Sequence, residues 1–281
     1  MNTFNRVLLA SDLTRQSDNL VGCLTSLCPD TETEVVLAHV LNSDDDADPH
    51  GSTYKEIKNH LEGYADRLKS KGYETVTVVT PKGEPDEVLT KTAEELEADL
   101  LLMASHGKGF FERTFKGSTT YDVARMTTVP LFIDRDDDDN NSDELLGTVL
   151  VATDFSKKSL DALNIIRGLR EYVGRVLFLH VIEHSRSRED YLEQKANAEL
   201  QLEELVDELK IFGIEADYKI KKGKASQQID EVCEKENVGM VVMARTGVGS
   251  GNNINLGGTA ENVVLHVDRA ILLLPGLDLD D

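Results

Sequence analysis

The chain has 281 residues, 40% of them hydrophobic and 5% aromatic, with no Trp and a formal net charge of -22. That length admits one or two domains with a real core. The acidity repels nucleic acid and anionic membrane surfaces, so neither is expected as a partner unless a local basic patch exists; its plain reading is solubility. No stretch reaches the ~18–20 apolar residues of a membrane span, and MNTFNRVLLASD has no apolar leader. Cys23, Cys28 and Cys233 contain no CxxC pair. A cytoplasmic protein with buried, reduced thiols and neither zinc nor disulfides is therefore expected.

In chain order, residues 6–11, 34–41, 74–80, 99–104 and 129–133 read as short Val- and Leu-rich strands, the pattern of strands covered on both faces. Between the second and third, Tyr54, Ile57, Leu61, Tyr64 and Leu68 recur at helical spacing. The pattern then starts again. Val7–Asp12 (VLLASD) answers to Val149–Asp154 (VLVATD), Val35–Val40 to Val176–Val181, Gly83 to Gly223, Leu101–Gly107 to Val241–Gly247, and Gly117 to Gly257. The offsets run 142, 141, 140, 140 and 140. Ordered matches at nearly constant, domain-sized offset mark a duplication rather than a solenoid. Leu202, Leu205 and Leu209 repeat the helical stripe in the second copy.

Strands alternating with helices imply right-handed crossovers and a parallel sheet. The expected fold class is α/β: two tandem three-layer α/β/α domains, each with a five-stranded parallel sheet. The acidic, aperiodic run Asp134–Glu144 separates the copies as a solvated linker. The domains are drawn as 1–135 and 147–281, with 136–146 between them. A divalent-metal site in that run is the less favoured alternative. Asp44-Asp45-Asp46 and Leu277–Asp281 read as solvated too.

In open α/β sheets ligands sit beyond the carboxyl ends of the strands, where strand order reverses. Three features fall there in each copy. Asp12 and Asp154 follow the first strand; each can accept from an amine such as adenine N6, or serve as the N-cap of the next helix. After the fourth strand, Ala104-Ser105-His106-Gly107 is followed nine residues later by Gly117-Ser118-Thr119, and Ala244-Arg245-Thr246-Gly247 at the same spacing by Gly257-Gly258-Thr259. Glycines let backbone N–H groups approach an anion, and a helix starting there offers its positive dipole end to phosphate; the alternative is a flexible turn. Val40 and Val181 end the second strand, and their backbone groups can pair with an adenine edge. His39 and His180 just before them read as core groups supporting the site.

These residues resemble the universal stress protein family, specifically its tandem two-domain branch. The family's nucleotide-binding members carry Gly-x2-Gly-x9-Gly-(Ser/Thr) after strand four, an Asp ending strand one and a His-Val ending strand two. The resemblance covers nearly the whole chain, once per copy. It implies the adenine nucleotide alpha hydrolase-like fold and a stress-response or signalling role governed by ATP or AMP, with or without Mg. It assigns Asp12 and Val40 to adenine and Gly107, Gly117, Ser118 and Thr119 to ribose and phosphates; Lys108 is added to the site for its charge. In the second copy the matches are Asp154, Val181, Gly247, Gly257, Gly258 and Thr259.

Two departures stand out. The motif's first Gly is Ala104 in one copy and Ala244 in the other, whose methyls border any ligand. In strict register Gly258 replaces the Ser/Thr, so the hydroxyl is lost unless Thr259 supplies it. Lys108, Arg113 and Lys116 lie between the glycines of the first copy, whereas residues 248–256 carry no charge. The first copy is accordingly expected to be the better triphosphate site. The alternatives to nucleotide binding are a non-binding regulatory scaffold for an unknown protein partner, and a slow ATPase. There is no Walker GKS/GKT, no nucleophile elbow and no GxGxxG after the first strand, and His106 has no evident base partner. No catalytic residue is assigned. The resemblance also implies that the last strands, Val129–Ile133 and Ala270–Leu274, pair across an intramolecular pseudo-dimer; a homodimer of whole chains is left open.

Overall fold

The computed structural model describes residues 3–41, 48, 50–105, 119–135, 144–247 and 256–275, apart from the side chains of residues 15, 16, 18 and 158. The chain divides into two compact units, Met1–Ser142 and Asp143–Asp281.

In the first unit the elements run β1 (Arg6–Ala10), α1 (Arg15–Leu27), β2 (Glu34–Ala38), α2 (Ser52–Ser70), β3 (Val76–Val79), α3 (Pro85–Glu95), β4 (Leu100–Ala104), α4 (Thr119–Met126) and β5 (Leu131–Asp134). The strands stand in the order β3-β2-β1-β4-β5. Every pairing is parallel, with Leu8 opposite Val36 on one side and Leu101 on the other. The central strand residues Val7, Leu8, Leu9, Leu100, Leu101 and Leu102 are wholly buried. That is why the strands read as continuous apolar runs rather than alternating ones. α1 packs against α2, and α3 against α4. Ile57, Leu61, Tyr64 and Leu68 form the buried stripe of α2; Tyr54 is half-buried at its start.

The second unit repeats this: β6 (Thr148–Ala152), α5 (Lys157–Leu160), α6 (Ala162–Gly168), β7 (Arg175–Ile182), α7 (Arg188–Ile211), β8 (Glu215–Lys222), α8 (Ala225–Lys235), β9 (Met240–Ala244), α9 (Gly258–His266) and β10 (Ala270–Leu274). Its order is β8-β7-β6-β9-β10, again all parallel. Leu202, Leu205 and Leu209 lie on the buried side of α7. The units differ locally. The single helix α1 corresponds to two short ones, α5 and α6, and the pair β7 and β8 is longer than β2 and β3.

The matched glycines Gly83 and Gly223 have a shared cause. Each turns the chain from the third strand into the next helix at φ of +144° and +132°, a region open to glycine. Each donates its N–H to the end of the second strand, at Leu41 and Ile182 respectively.

The acidic run Asp134–Glu144 begins inside a strand. Asp134 is the last residue of β5 and is buried with Arg135, while Leu145 and Leu146 are buried in the second unit. Acidity alone does not distinguish a strand end from a tether. Residues 136–143, Asp44-Asp45-Asp46 and 276–281 lie outside the described residues. Among the described residues no helix is long and apolar enough to cross a membrane. Cys23, Cys28 and Cys233 are buried free thiols.

Candidate functional site

In each unit the strand order reverses about its first strand, so the connections leaving β1 and β4, or β6 and β9, open a crevice at their carboxyl ends. A cavity lies at each crevice. The first, of about 430 Å³, is bordered by Asp12, His39, Val40, Ala104, Thr119 and Thr120 among others. The second, of about 550 Å³, is bordered by Asp154, His180, Val181, Gly247, Gly258 and Thr259 among others. Both volumes fall in the usual range of small-molecule sites, about 300–1,000 Å³.

One wall is a turn repeated almost atom for atom. The Asp12 Oδ1 accepts from Thr14 N at 3.0 Å, Thr14 Oγ1 at 2.6 Å and Ser17 Oγ at 2.6 Å. The Asp154 Oδ1 accepts from Ser156 N at 3.1 Å and Ser156 Oγ at 2.6 Å. Neither Asp is the N-cap that one sequence reading allowed. The caps are Thr14 and Ser156, and each Asp closes an Asx turn two residues earlier. Between Asp and cap, Leu13 and Phe155 both sit at φ +63°. A non-glycine residue held there costs on the order of 1–3 kcal/mol. The cost is offset locally: Ser11 Oγ accepts from Leu13 N at 3.1 Å, and Thr153 Oγ1 from Phe155 N at 3.0 Å. The sequence reading missed these two residues. Their one signal was their matched place after the Asp, because Leu and Phe say nothing of left-handed backbone.

The histidines brace the same turn. His39 Nδ1 lies 2.8 Å from Ser11 O and His180 Nδ1 2.9 Å from Thr153 O. A carbonyl only accepts, so Nδ1 carries the proton in both. Each histidine thereby ties the end of the second strand to the turn after the first. Phe155 stacks on His180, with ring centroids 4.5 Å apart.

Gly247 sits directly against the carboxylate of Asp154: a Cβ there would meet Asp154 Oδ2 at 2.5 Å. Gly257 is the N-cap of α9, with its N–H on Arg245 O at 2.9 Å. A Cβ on Gly257 would stand 3.2 Å from that same oxygen, whereas one on Gly258 would meet nothing within 4 Å. The N–H groups of Gly258, Thr259 and Ala260 have no helical carbonyl behind them, and no side chain at Gly257 caps them. All three residues border the cavity. Donors of this kind, with the dipole behind them, attract anions.

Ala104 and Ala244, where the family motif has Gly, end β4 and β9 and border the cavities. Neither has a positive φ, so the alanines cost no strain. Val181 lies within β7, opposite Lys221, and Val40 lies just past the end of β2. Arg245 borders the second cavity with only 2% of its surface exposed, and burial lowers its guanidinium pKa. Glu183, also on this wall, accepts from Ala225 N at 2.6 Å, which covers the start of α8. Neither Glu183 nor any α8 residue had been singled out in the sequence. Gly107, Lys108, Gly117 and Ser118, with His106, Arg113 and Lys116, lie outside the described residues; Thr119 is the first residue of α4.

The model of the Universal stress protein family matches residues 3–135 and again 146–275. The chain belongs to the universal stress protein family, as a tandem member with two such domains. It is 29% identical over 79 residues to a universal stress protein of Methanocaldococcus jannaschii. That alignment takes in 28% of this chain, and the chain spans about half the length of this curated relative, 48%. Among solved structures, a universal stress protein from Archaeoglobus fulgidus matches with a TM-score of 0.76 at 24% identity, over 96% of this chain and 98% of that one. A protein of Pseudomonas aeruginosa matches at 0.66 and 15% identity, over 96% and 93%. At these identities the two structures establish a shared fold.

Proposed function

We propose that this tandem universal stress protein binds an adenine nucleotide, ATP or AMP, in the crevice of each unit, and that occupancy sets its choice of protein partner. The observation that carries this reading is in the second unit. A cavity of about 550 Å³ has Asp154 on one wall and the uncapped first turn of α9 bordering it too. An acceptor for the exocyclic amine and donors for phosphate therefore border the same space. The backbone groups around Val181 would pair with the adenine edge. Gly247 leaves room for the Asp154 carboxylate, and Gly257, Gly258 and Thr259 would take the phosphates. By the repeat, Asp12 and Val40 would take adenine in the first unit, and Thr119, with Gly107, Lys108, Gly117 and Ser118, the ribose and phosphates.

The rival reading is a scaffold that has lost nucleotide binding. The Ala104 and Ala244 methyls at the cavity walls favour it. Two measurements decide: mass spectrometry of small molecules released from the native protein, and equilibrium dialysis with labelled ATP. An adenine nucleotide recovered at one or two per chain is expected. An empty protein that takes up neither ATP nor AMP at millimolar concentration would overturn the proposal in favour of the scaffold.

A further inference from the structure

The helix α7 is apolar on two sides. Ala198, Leu202, Leu205, Val206 and Leu209 are buried, and the helix packs on β7 and β8. On the opposite side Leu192, Leu200 and Ile211 stand in solvent, Leu200 being 63% and Ile211 83% exposed. Leu192 leads to Leu200 through exposed Ala196 in two steps of four residues. Ile211 follows Leu200 by about three helical turns, so all four share one side of the helix over about 28 Å, at 1.5 Å per residue. Glu193, Glu203, Glu204 and Asp207 stand among them, all exposed. Asp207 contacts Lys210 at 3.4 Å, and Glu203 accepts from the Tyr218 hydroxyl at 3.4 Å. Glu193 and Glu204 make no ion pair among the described residues.

The first unit provides the comparison. The buried stripes of α2 and α7 align at an offset of 141: Leu61 with Leu202, Tyr64 with Leu205 and Leu68 with Leu209. On that register Asn59 and Ser70, both exposed, occupy the places of Leu200 and Ile211, and Gly63 that of Glu204. The fold therefore asks for no apolar side chain at either place. A row of exposed apolar residues that adds nothing to its own helix's packing marks a surface that another molecule covers.

We propose that this outward face of α7 docks a basic amphipathic helix of a partner protein. Leu192, Leu200 and Ile211 would meet the partner's apolar stripe, and Glu193, Glu203, Glu204 and Asp207 its lysines or arginines. A second copy of the chain fits poorly, because two such faces would bring carboxylate against carboxylate. The surface lies on one helix of the second unit, so the inference stands apart from the nucleotide reading.

The test is fluorescence anisotropy of a labelled synthetic helix of leucine and lysine, its leucines at i, i+3, i+4 and i+7 spacing, titrated with the full chain. A scrambled peptide of the same composition controls for net charge alone. The proteins are wild type, the pair Leu200→Asn with Ile211→Ser, and the pair Glu203→Lys with Glu204→Lys, each checked by thermal unfolding. The first pair installs the residues that α2 already carries at these exposed places and keeps every charge, so the fold should be unaffected. Wild type is expected to bind the amphipathic peptide about tenfold or more tighter than the scrambled one, and the first pair to lose that preference. The charge-reversed pair is expected to bind it about tenfold more weakly than wild type, with a shallower dependence on salt. Equal affinity of wild type for the two peptides would overturn the inference, as would a preference that survives in Leu200→Asn with Ile211→Ser. Self-association of the wild-type chain in sedimentation, abolished in that pair, would give the face to a second copy and overturn the basic partner.

Discussion

Substituting Gly247 by Ala forces a particular collision. The new Cβ meets Asp154 Oδ2 at 2.5 Å and Cγ at 3.6 Å. An ordinary contact begins near 3.4 Å, so the carboxylate must retreat by about 0.9 Å. It cannot do so freely, because Oδ1 is held by the N–H and hydroxyl of Ser156 and the next residue, Phe155, already sits at φ +63°. Overpacking of this kind costs roughly 1–3 kcal/mol. If Asp154 receives the adenine amine, its displacement also removes a hydrogen bond to a charged group, worth about 1.5–3 kcal/mol. That corresponds to about 10- to 100-fold weaker nucleotide binding at this site.

A double-mutant cycle isolates the cause. Gly247→Ala and Asp154→Ala are each titrated with ATP and melted, alone and together. In the Asp154→Ala background the methyl has room, so Gly247→Ala should lose nearly all of its effect on affinity and stability. The same loss in both backgrounds would refute the reasoning, as would a Gly247→Ala protein with wild-type affinity.

Gly258→Asp is expected to leave stability unchanged or slightly raised, since its side chain enters open space at the start of a helix and favours the dipole by about 0.3–1 kcal/mol. The same carboxylate should repel phosphate, so ATP affinity at that site falls while the melting temperature does not. Gly83→Ala should destabilise more than Gly223→Ala in urea unfolding. Both positions require left-handed backbone, but a Cβ at 83 also meets Val88 Cγ2 at 2.8 Å, against a nearest contact of 4.0 Å at 223. Burial pushes the Cys233 thiol up to about 12. Native protein at pH 8 should therefore resist thiol reagents at Cys233 until unfolded. A folded pKa raised above the unfolded one stabilises fully below the ordinary thiol range, and this contribution should fade as pH climbs towards 12, read by denaturant titration.

Much of the fold could be read from the sequence because burial on both faces writes long apolar runs at β1, β2, β4 and their counterparts, and because the repeat supplied an internal control for each. The glycines bordering the second cavity were legible for the same reason. A position where a Cβ would collide leaves a residue type behind, as at Gly247. Positions where chemistry depends on direction left no such trace. Glu183 reads as one acid among 52 Asp and Glu residues. The choice between N-cap and Asx turn at Asp12 and Asp154 turned on a shift of two residues, which composition cannot carry.

What the sequence determined by itself is the duplication, the strand and helix alternation and the crevice between the first and fourth strands of each copy. These follow from short-range periodicity and from the handedness of crossovers, both written along the chain. Tertiary structure decided which atoms meet across the crevice. It held Leu13 and Phe155 in left-handed backbone, set Gly247 against Asp154, and tied His180 to the turn at Thr153. Those contacts depend on where separate segments come to rest in three dimensions, and no local pattern of residues encodes that distance.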